Sequence, residues 1–356
     1  MDFSIPPDER ELAALVRRIA GDHLTRERLR ALDAAPVRFD RELWVALAAA
    51  DVLGADFGVL GDAAMLVELG RLVAPVPYLA SIAVAARALA EFGQPELASA
   101  AVNGSLLATV ALTEDPADGA DLPTTRAERS GAGWVLTGAK ATVPYGTIAD
   151  AILVPAATDD GTSVFLVRPS DDGVTVEAQT IVDGDTEATL DLRGVRVADD
   201  RVLAGSDVLP WLIERYTVGV CAHQLGVLER ALELTAAYAR EREQFGKPIG
   251  SFQAVGQRLA EAYIDVEAVR LTTWEAAWRV ASGLPATAEV ATAKFWAADA
   301  GHRVAHTAVH VHGGTGIDMD GLVHRYFVAA KRNEFTLGGA TAQLRRLGSE
   351  LAAIPA

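Results

Sequence analysis

The sequence predicts an α+β chain. It comprises an N-terminal helical domain over residues 1–105, a middle β domain over 106–206 and a C-terminal antiparallel four-helix bundle over 207–356. Three observations carry this. Apolar residues recur at three- and four-residue steps up to residue 104 and again from about residue 207. Between them lie short runs rich in Val, Thr and Leu, cut by Gly and Asp. Finally, 356 residues, 50% of them hydrophobic, exceed what one ordinary core holds.

The elements follow in order. "DERELAALVRRIAGDHL" is an amphipathic helix, and "DRELWVALAAADVLG" is a second, with Asp40 as its N-cap and Gly54 at its end. "GDAAMLVELGRLVAP" and "YLASIAVAARALAEFG" are two more helices, each punctuated by Gly or Pro. "LLATVALTE", "RAERSGAGWVLTGAKATVP", "DAILVPAAT", "SVFLVRP", "VTVEAQTI", "ATLDLRGVRV" and "RVLAG" read as strands. Three long helical stretches then start at Val208, Ser251 and Thr287, and the last segment begins at Gly321. Long helices with apolar stripes and short links make a bundle. No internal repeat and no low-complexity linker interrupts the order.

Charge and cysteine content exclude several classes. A formal charge of −16 argues against nucleic acid or an anionic membrane as partner through bulk electrostatics. No apolar run reaches about 18–20 residues, so no membrane span is expected. One cysteine, Cys221, allows no disulfide within the chain, which fits a reducing cytoplasm. The N-terminal residues lack the basic-then-apolar pattern of a signal peptide.

Three stretches have chemistry in them. In "YAREREQFGKPIGSFQAVGQ", Arg240 and Arg242 stand where one long helix stops and the next begins. A helix-end Arg beside a Gly-Lys-Pro turn suits a pyrophosphate; a solvated helix end with local ion pairs fits the same residues. In "HRVAHTAVHVHGGTG", His302, His306 and His310 share one helical face. That is metal-ligand spacing, but Arg303 stands where a zinc protease needs Glu and no acidic ligand converges, so no metal is expected. Gly313 and Gly314 let backbone approach a ligand closely. In "ALTEDPADGADLPTT", Thr113 is a candidate donor to a cofactor edge, or simply a strand end.

Taken together, the order of domains and the motifs "LTE", "GWVLTGAK" with "ADAILVPA", "REQFGKPIGSFQAV" and "HVHGGTG" resemble the acyl-CoA dehydrogenase family over essentially the whole chain. The resemblance implies FAD as cofactor and an acyl-CoA thioester as substrate, desaturated at α,β. It implies that a carboxylate takes the α-proton, and that each subunit lends residues to its neighbour's adenosine diphosphate half. By that resemblance Arg242 meets the FAD pyrophosphate, Phe245 and Gln253 line the same pocket, and His310, Gly313 and Gly314 meet the adenosine half. His310 replaces the family's usual Gln.

The departures cluster. Where most members carry Glu before Gly-Thr, this chain reads Leu337-Gly338-Gly339-Ala340-Thr341. The alternative base position falls near Tyr216, followed by Thr217; Glu214 lies two residues off, turned by about 200° on a helix. The strand that presents an aromatic residue and Thr to the flavin ring reads Lys140-Ala141-Thr142-Val143-Pro144, and Ala120 sits where Ser is usual. The chain therefore resembles the base-less subunit of heteromeric actinobacterial steroid-degrading members. This implies no catalytic residue of its own, a paralogous partner carrying the catalytic Glu, and a heterotetramer with two copies of each subunit. Two other readings stay open: a self-sufficient enzyme with Glu214 or Glu334 as relocated base, and a flavin-free acyl-CoA-binding scaffold. Phe295, Trp296 and Phe327 are expected to add apolar surface for assembly.

Overall fold

A computed structural model describes residues 7–114 and 120–353. Residues 115–119, which follow "LTE", lie outside the described residues. By its contacts the chain divides into two compact units. One holds residues up to Arg30, Phe57–Ala74 and everything from Thr217 onward; the other holds Ala31–Asp56 and Pro75–Tyr216.

The N-terminal helices are α1 (Pro7–His23), α2 (Arg26–Asp33), α3 (Arg41–Ala49) and α4 (Gly58–Leu72). A π-helical segment (Tyr78–Ala86) leads into α5 (Arg87–Glu91), and α6 (Pro95–Val102) follows. Asp40 caps α3 as expected, its carboxylate accepting the Leu43 N–H at 3.1 Å. The helix stops at Ala49 rather than running to Gly54. Asp51 adopts a left-handed φ of 58°, which turns Val52 and Leu53 into the core. The Tyr78–Ala86 stretch is π-helical where the sequence suggested an ordinary helix. All of it except Leu79 is buried, so its apolar residues carry no periodicity that tells one helix type from another.

The sheet unit holds β1 (Ala108–Val110), β2 (Arg126–Arg129), β3 (Gly133–Pro144), β4 (Ala151–Thr158), β5 (Gly161–Val167), β6 (Val174–Gln179), β7 (Glu187–Ala198) and β8 (Val202–Leu203). Its strand order is β6-β7-β3-β2-β4-β5-β8, with β1 parallel to β4. The long β3–β7 pair shifts register between Leu136 and Thr137 and again between Lys140 and Val143. Leu136, Ile152, Phe165 and Leu190 centre the core beneath it.

The bundle unit holds α7 (Val208–Glu241) from Thr217 on, then β9 (Glu243–Gln244), β10 (Lys247–Pro248), α8 (Gln253–Ala281), α9 (Thr287–His312), α10 (Val323–Phe335) and α11 (Ala340–Ala352). The three long helices fall where periodicity puts them. Helix α9 packs on α8, α10 and α11, and α1 packs on α4. Gln224 ties the centre together: its Nε2 donates to the Ala297 and Ala330 carbonyls, and its Oε1 accepts from Asn333 at 2.9 Å. Such satisfied polar networks fix one packing register. Burial pushes the Cys221 thiol up to about 12, which leaves it unreactive. Among the described residues no helix is long and apolar enough to cross a membrane.

Candidate functional site

Helix α7 ends in a two-residue hairpin. The Arg242 N–H still donates to the Tyr238 carbonyl at 2.8 Å, and β9 then pairs with β10. Phe245 and Gly246 form the loop with φ of 54° and 76°. Positive φ at both central positions is the turn that matches strand twist, and it makes Gly246 the natural second residue. Phe245 pays about 1–2 kcal/mol for the same conformation. It is 93% exposed, so burial offsets little of that cost; the two-residue turn sets the conformation and leaves the ring open to solvent.

The other predicted residues of this stretch are also open. Arg242 is exposed, and its guanidinium has no acid partner among the described residues. The local ion pairs that would make it a mere solvated helix end are therefore missing. Gln253 is exposed at the start of α8, whose N-cap, Phe252, provides no side-chain cap. A 29-residue helix thus presents its positive end beside the hairpin. Phe252 in turn carries Lys247 over its ring at 4.4 Å and Phe245 edge-on at 6.1 Å.

Helix α9 ends nearby. His302, His306 and His310 all lie on its exposed face, as their spacing requires, and the described residues contain no cluster fit to hold a metal. Gly313 terminates the helix at φ 61°, and nothing lies within 4 Å of where a side chain would start on Gly313 or Gly314. Their backbone therefore faces open space. Sequence reasoning missed the residues that bring this turn to Arg242. His312 points inward and stacks on Tyr238, ring centroids 4.3 Å apart and planes 20° off parallel. Its position two residues after His310, hence about 200° around the helix, was the available signal.

The sheet unit presents the opposite picture at Ala141–Tyr145. The Ala141 N–H donates to the Thr113 carbonyl at 3.0 Å. Thr142, left-handed at φ 49°, donates its N–H to the Gln179 side-chain oxygen at 2.8 Å. Val143 lies in the ladder opposite Ala188, Pro144 has no N–H, and the Tyr145 N–H goes to the Thr186 carbonyl at 2.6 Å. Just behind, fully buried Lys140 donates to Glu114, which also accepts from Thr124 and Thr125. Burial pushes the Glu114 carboxyl up, but the Lys140 and Thr bonds outweigh it and hold it near about 2. The Thr113 carbonyl is thus engaged within the sheet unit.

The turn after α10 has no carboxylate. Leu337 and Gly338 take left-handed φ of 53° and 93°. Buried Lys294 donates to the Glu334 and Gly338 carbonyls, both at 3.0 Å, and Gln343 donates to the Leu337 carbonyl at 2.9 Å. Burial lowers Lys294 to about 8. The Glu334 carboxylate is engaged by Lys331 at 2.5 Å and lies 3.2 Å from His302. Tyr216 is buried in the sheet unit, and Glu214 is half-buried there with partners of its own. Phe295, Trp296 and Phe327 are half-buried, Phe295 packing edge-on against Trp296. The most exposed apolar residues of the bundle unit besides Phe245 and Met319 include Ile264, Ile317 and Phe335.

Comparisons with known proteins place the chain's family and fold. Residues 204–352 match the C-terminal domain of acyl-CoA dehydrogenases, and residues 109–192 match the middle domain. The chain is 51% identical to the acyl-CoA dehydrogenase FadE27 of Mycobacterium tuberculosis, with 100% of both chains covered. It superimposes with a TM-score of 0.96 on a chain of the ChsE4–ChsE5 complex from the same organism, at 51% identity and 100% coverage of both. A chain of the steroid ACAD Tcur3481–Tcur3483 gives a TM-score of 0.93 at 39% identity, covering 98% of this chain and 99% of that one. The chain belongs to the acyl-CoA dehydrogenase family.

Proposed function

We propose that this chain is the base-less subunit of a heteromeric, FAD-dependent acyl-CoA dehydrogenase that desaturates an acyl-CoA thioester at α,β. In this reading a paralogous subunit carries the catalytic Glu, two copies of each assemble, and the acyl group is a steroid side chain handled in the cytoplasm. The division into a helical part to residue 105, a β part to 206 and a bundle beyond belongs to the same reading. The single observation that carries it is the Leu337–Thr341 turn, where the family's carboxylate is replaced by a backbone pinned through Lys294 and Gln343. A similar structure described as the ChsE4–ChsE5 complex supports a paralogous partner.

FAD is the cofactor of this family, and its two halves fit this chain differently. The diphosphate half fits: Arg242 is a cation with no acid partner among the described residues, the start of α8 has no side-chain cap, and Gly313 and Gly314 offer backbone without side-chain obstruction. The ring half does not fit the described residues of the strand. Ala141, Thr142 and Tyr145 spend their N–H groups internally and Pro144 has none. When bound, FAD supplies the hydride acceptor. What these residues supply is charge and position for the diphosphate of a flavin whose ring the partner holds. In this reading proton abstraction at the α-carbon falls to the partner, since the Glu334 carboxylate is held in an ion pair with Lys331.

The test is turnover of the chain purified alone and again with its paralogous subunit, using several acyl-CoAs and an artificial electron acceptor. Activity is expected only in the complex. Turnover of about one per second by the chain alone, in the ordinary enzyme range, and abolished by Glu214→Gln or Glu334→Gln, would establish a relocated base instead.

A further inference from the structure

The Tyr238–His312 stack joins two stretches that a diphosphate must meet together. Arg242 closes its last helical hydrogen bond on the Tyr238 carbonyl, so its backbone stands one helical turn above that ring. His312 directly precedes Gly313. Its Nδ1 donates to the Ala308 carbonyl at 2.8 Å, and its own carbonyl accepts the Thr315 hydroxyl at 2.8 Å, which folds the glycine turn back. Deeper in the bundle, Gln224 ties α7 to α9; at their C-terminal ends the tie is this pair of rings. The other three histidines of α9 face outward.

We propose that Tyr238 and His312 are positioning residues for the flavin diphosphate, their stacked rings holding Arg242 at a set distance from the Gly313–Gly314 backbone. This rests on the diphosphate-lending reading above. Neither ring needs to touch the ligand. A guanidinium on one helix end and N–H groups on another bind one anion well only if their separation is fixed before binding; otherwise binding must order them. The interaction is one of ring faces, so a second aromatic side chain should serve at either position and an aliphatic one should not.

The experiment titrates FAD into the flavin-stripped complex of this chain with its paralogous subunit, for His312→Leu, His312→Phe, Tyr238→Leu and Tyr238→Phe, with Arg242→Ala as reference. The thermal midpoint of each flavin-free complex is measured in parallel. The leucine variants should bind FAD about three- to tenfold more weakly, the order of an aromatic pair. The phenylalanine variants should stay within about twofold of wild type. Leucine variants that melt lower yet bind FAD like wild type, while Arg242→Ala binds weakly, would reduce the stack to a structural contact and overturn the inference. Phenylalanine variants as weak as leucine would overturn it too, by assigning the effect to polar groups. Should Arg242→Ala itself bind normally, the lending reading falls and takes this inference with it.

Discussion

The hairpin end of the bundle and the Ala141–Tyr145 strand of the sheet unit invert each other. At the hairpin, Arg242, Phe245 and Gln253 are exposed, a long helix lacks a cap, and two glycines face open space. At the strand, donors are spent on internal acceptors, and a left-handed Thr142 is satisfied by Gln179. Both regions carry strained, non-glycine left-handed residues. At Thr142 the surrounding protein uses up the donor; at Phe245 the turn leaves the ring 93% exposed, with only the edge of Phe252 beside it among the described residues. An exposed cation and an exposed aromatic side by side remain available to a ligand, as donors already bonded within the sheet unit do not. Beside the turn that lacks a carboxylate, this contrast supports the proposed division of labour between unlike subunits.

The largest expected effect concerns the missing base. Without a positioned carboxylate, proton abstraction loses typically about 10²–10⁴-fold. The isolated chain should therefore fall at least that far below the complex, in turnover measured with an artificial acceptor. Comparable rates for the two preparations would erase the contrast.

Next in size is Arg242→Ala. It removes a charge-assisted contact of about 1.5–3 kcal/mol, so FAD retention in the complex should weaken by about ten- to a hundredfold. Equilibrium dialysis of the complex reads this directly. An unchanged dissociation constant would mean that the exposed guanidinium serves some other anion.

Lys294→Met sharpens the account of the pinned turn. It strands the Glu334 and Gly338 carbonyls, and one such buried loss costs about 1–3 kcal/mol of stability. Its pH signature has a definite sign. The folded state holds Lys294 at about 8, below the ordinary 10.5, so the unfolded chain binds more protons between these values. Stability from this group is complete above 10.5 and is lost as pH falls through about 8. Denaturant melts of wild type should therefore gain on Lys294→Met as pH rises through that window. Parallel curves would show that Lys294 titrates as if exposed.

The smallest effect belongs to the closed strand. Thr113→Ala and Thr142→Ala should change FAD retention by less than about twofold, since in this account neither meets the ring. A tenfold loss for either, measured beside Arg242→Ala, would reopen the sheet unit as a flavin site.

Much of this was legible in the sequence, for physical reasons. Helices α7, α8 and α9 announce themselves because amphipathic periodicity survives over many turns, and Phe245-Gly246-Lys247-Pro248 can hardly be anything but a turn. Arg242, Gln253 and His310, all exposed, are candidates that motif and resemblance single out, and the departures at Thr142, Pro144 and Leu337 are visible by the same route. Three things were hidden. The π-helical Tyr78–Ala86 is apolar nearly all round, so no pattern distinguishes it. The early end of α3 depends on Asp51 accepting a left-handed conformation that many residues refuse. Gln179 and Tyr238, which close one region and arm the other, act through tertiary contacts that no local spacing encodes.

The count of flavins per assembled pair tests the central claim most directly. The complex of this chain with its paralogous subunit is purified, its protein quantified, and its bound FAD released and measured by absorbance. One FAD per pair of unlike subunits is the predicted result, with the diphosphate held by Arg242 of this chain and the ring by the partner. Two FAD per pair would contradict it, because the second could only sit on the strand whose donors are already spent.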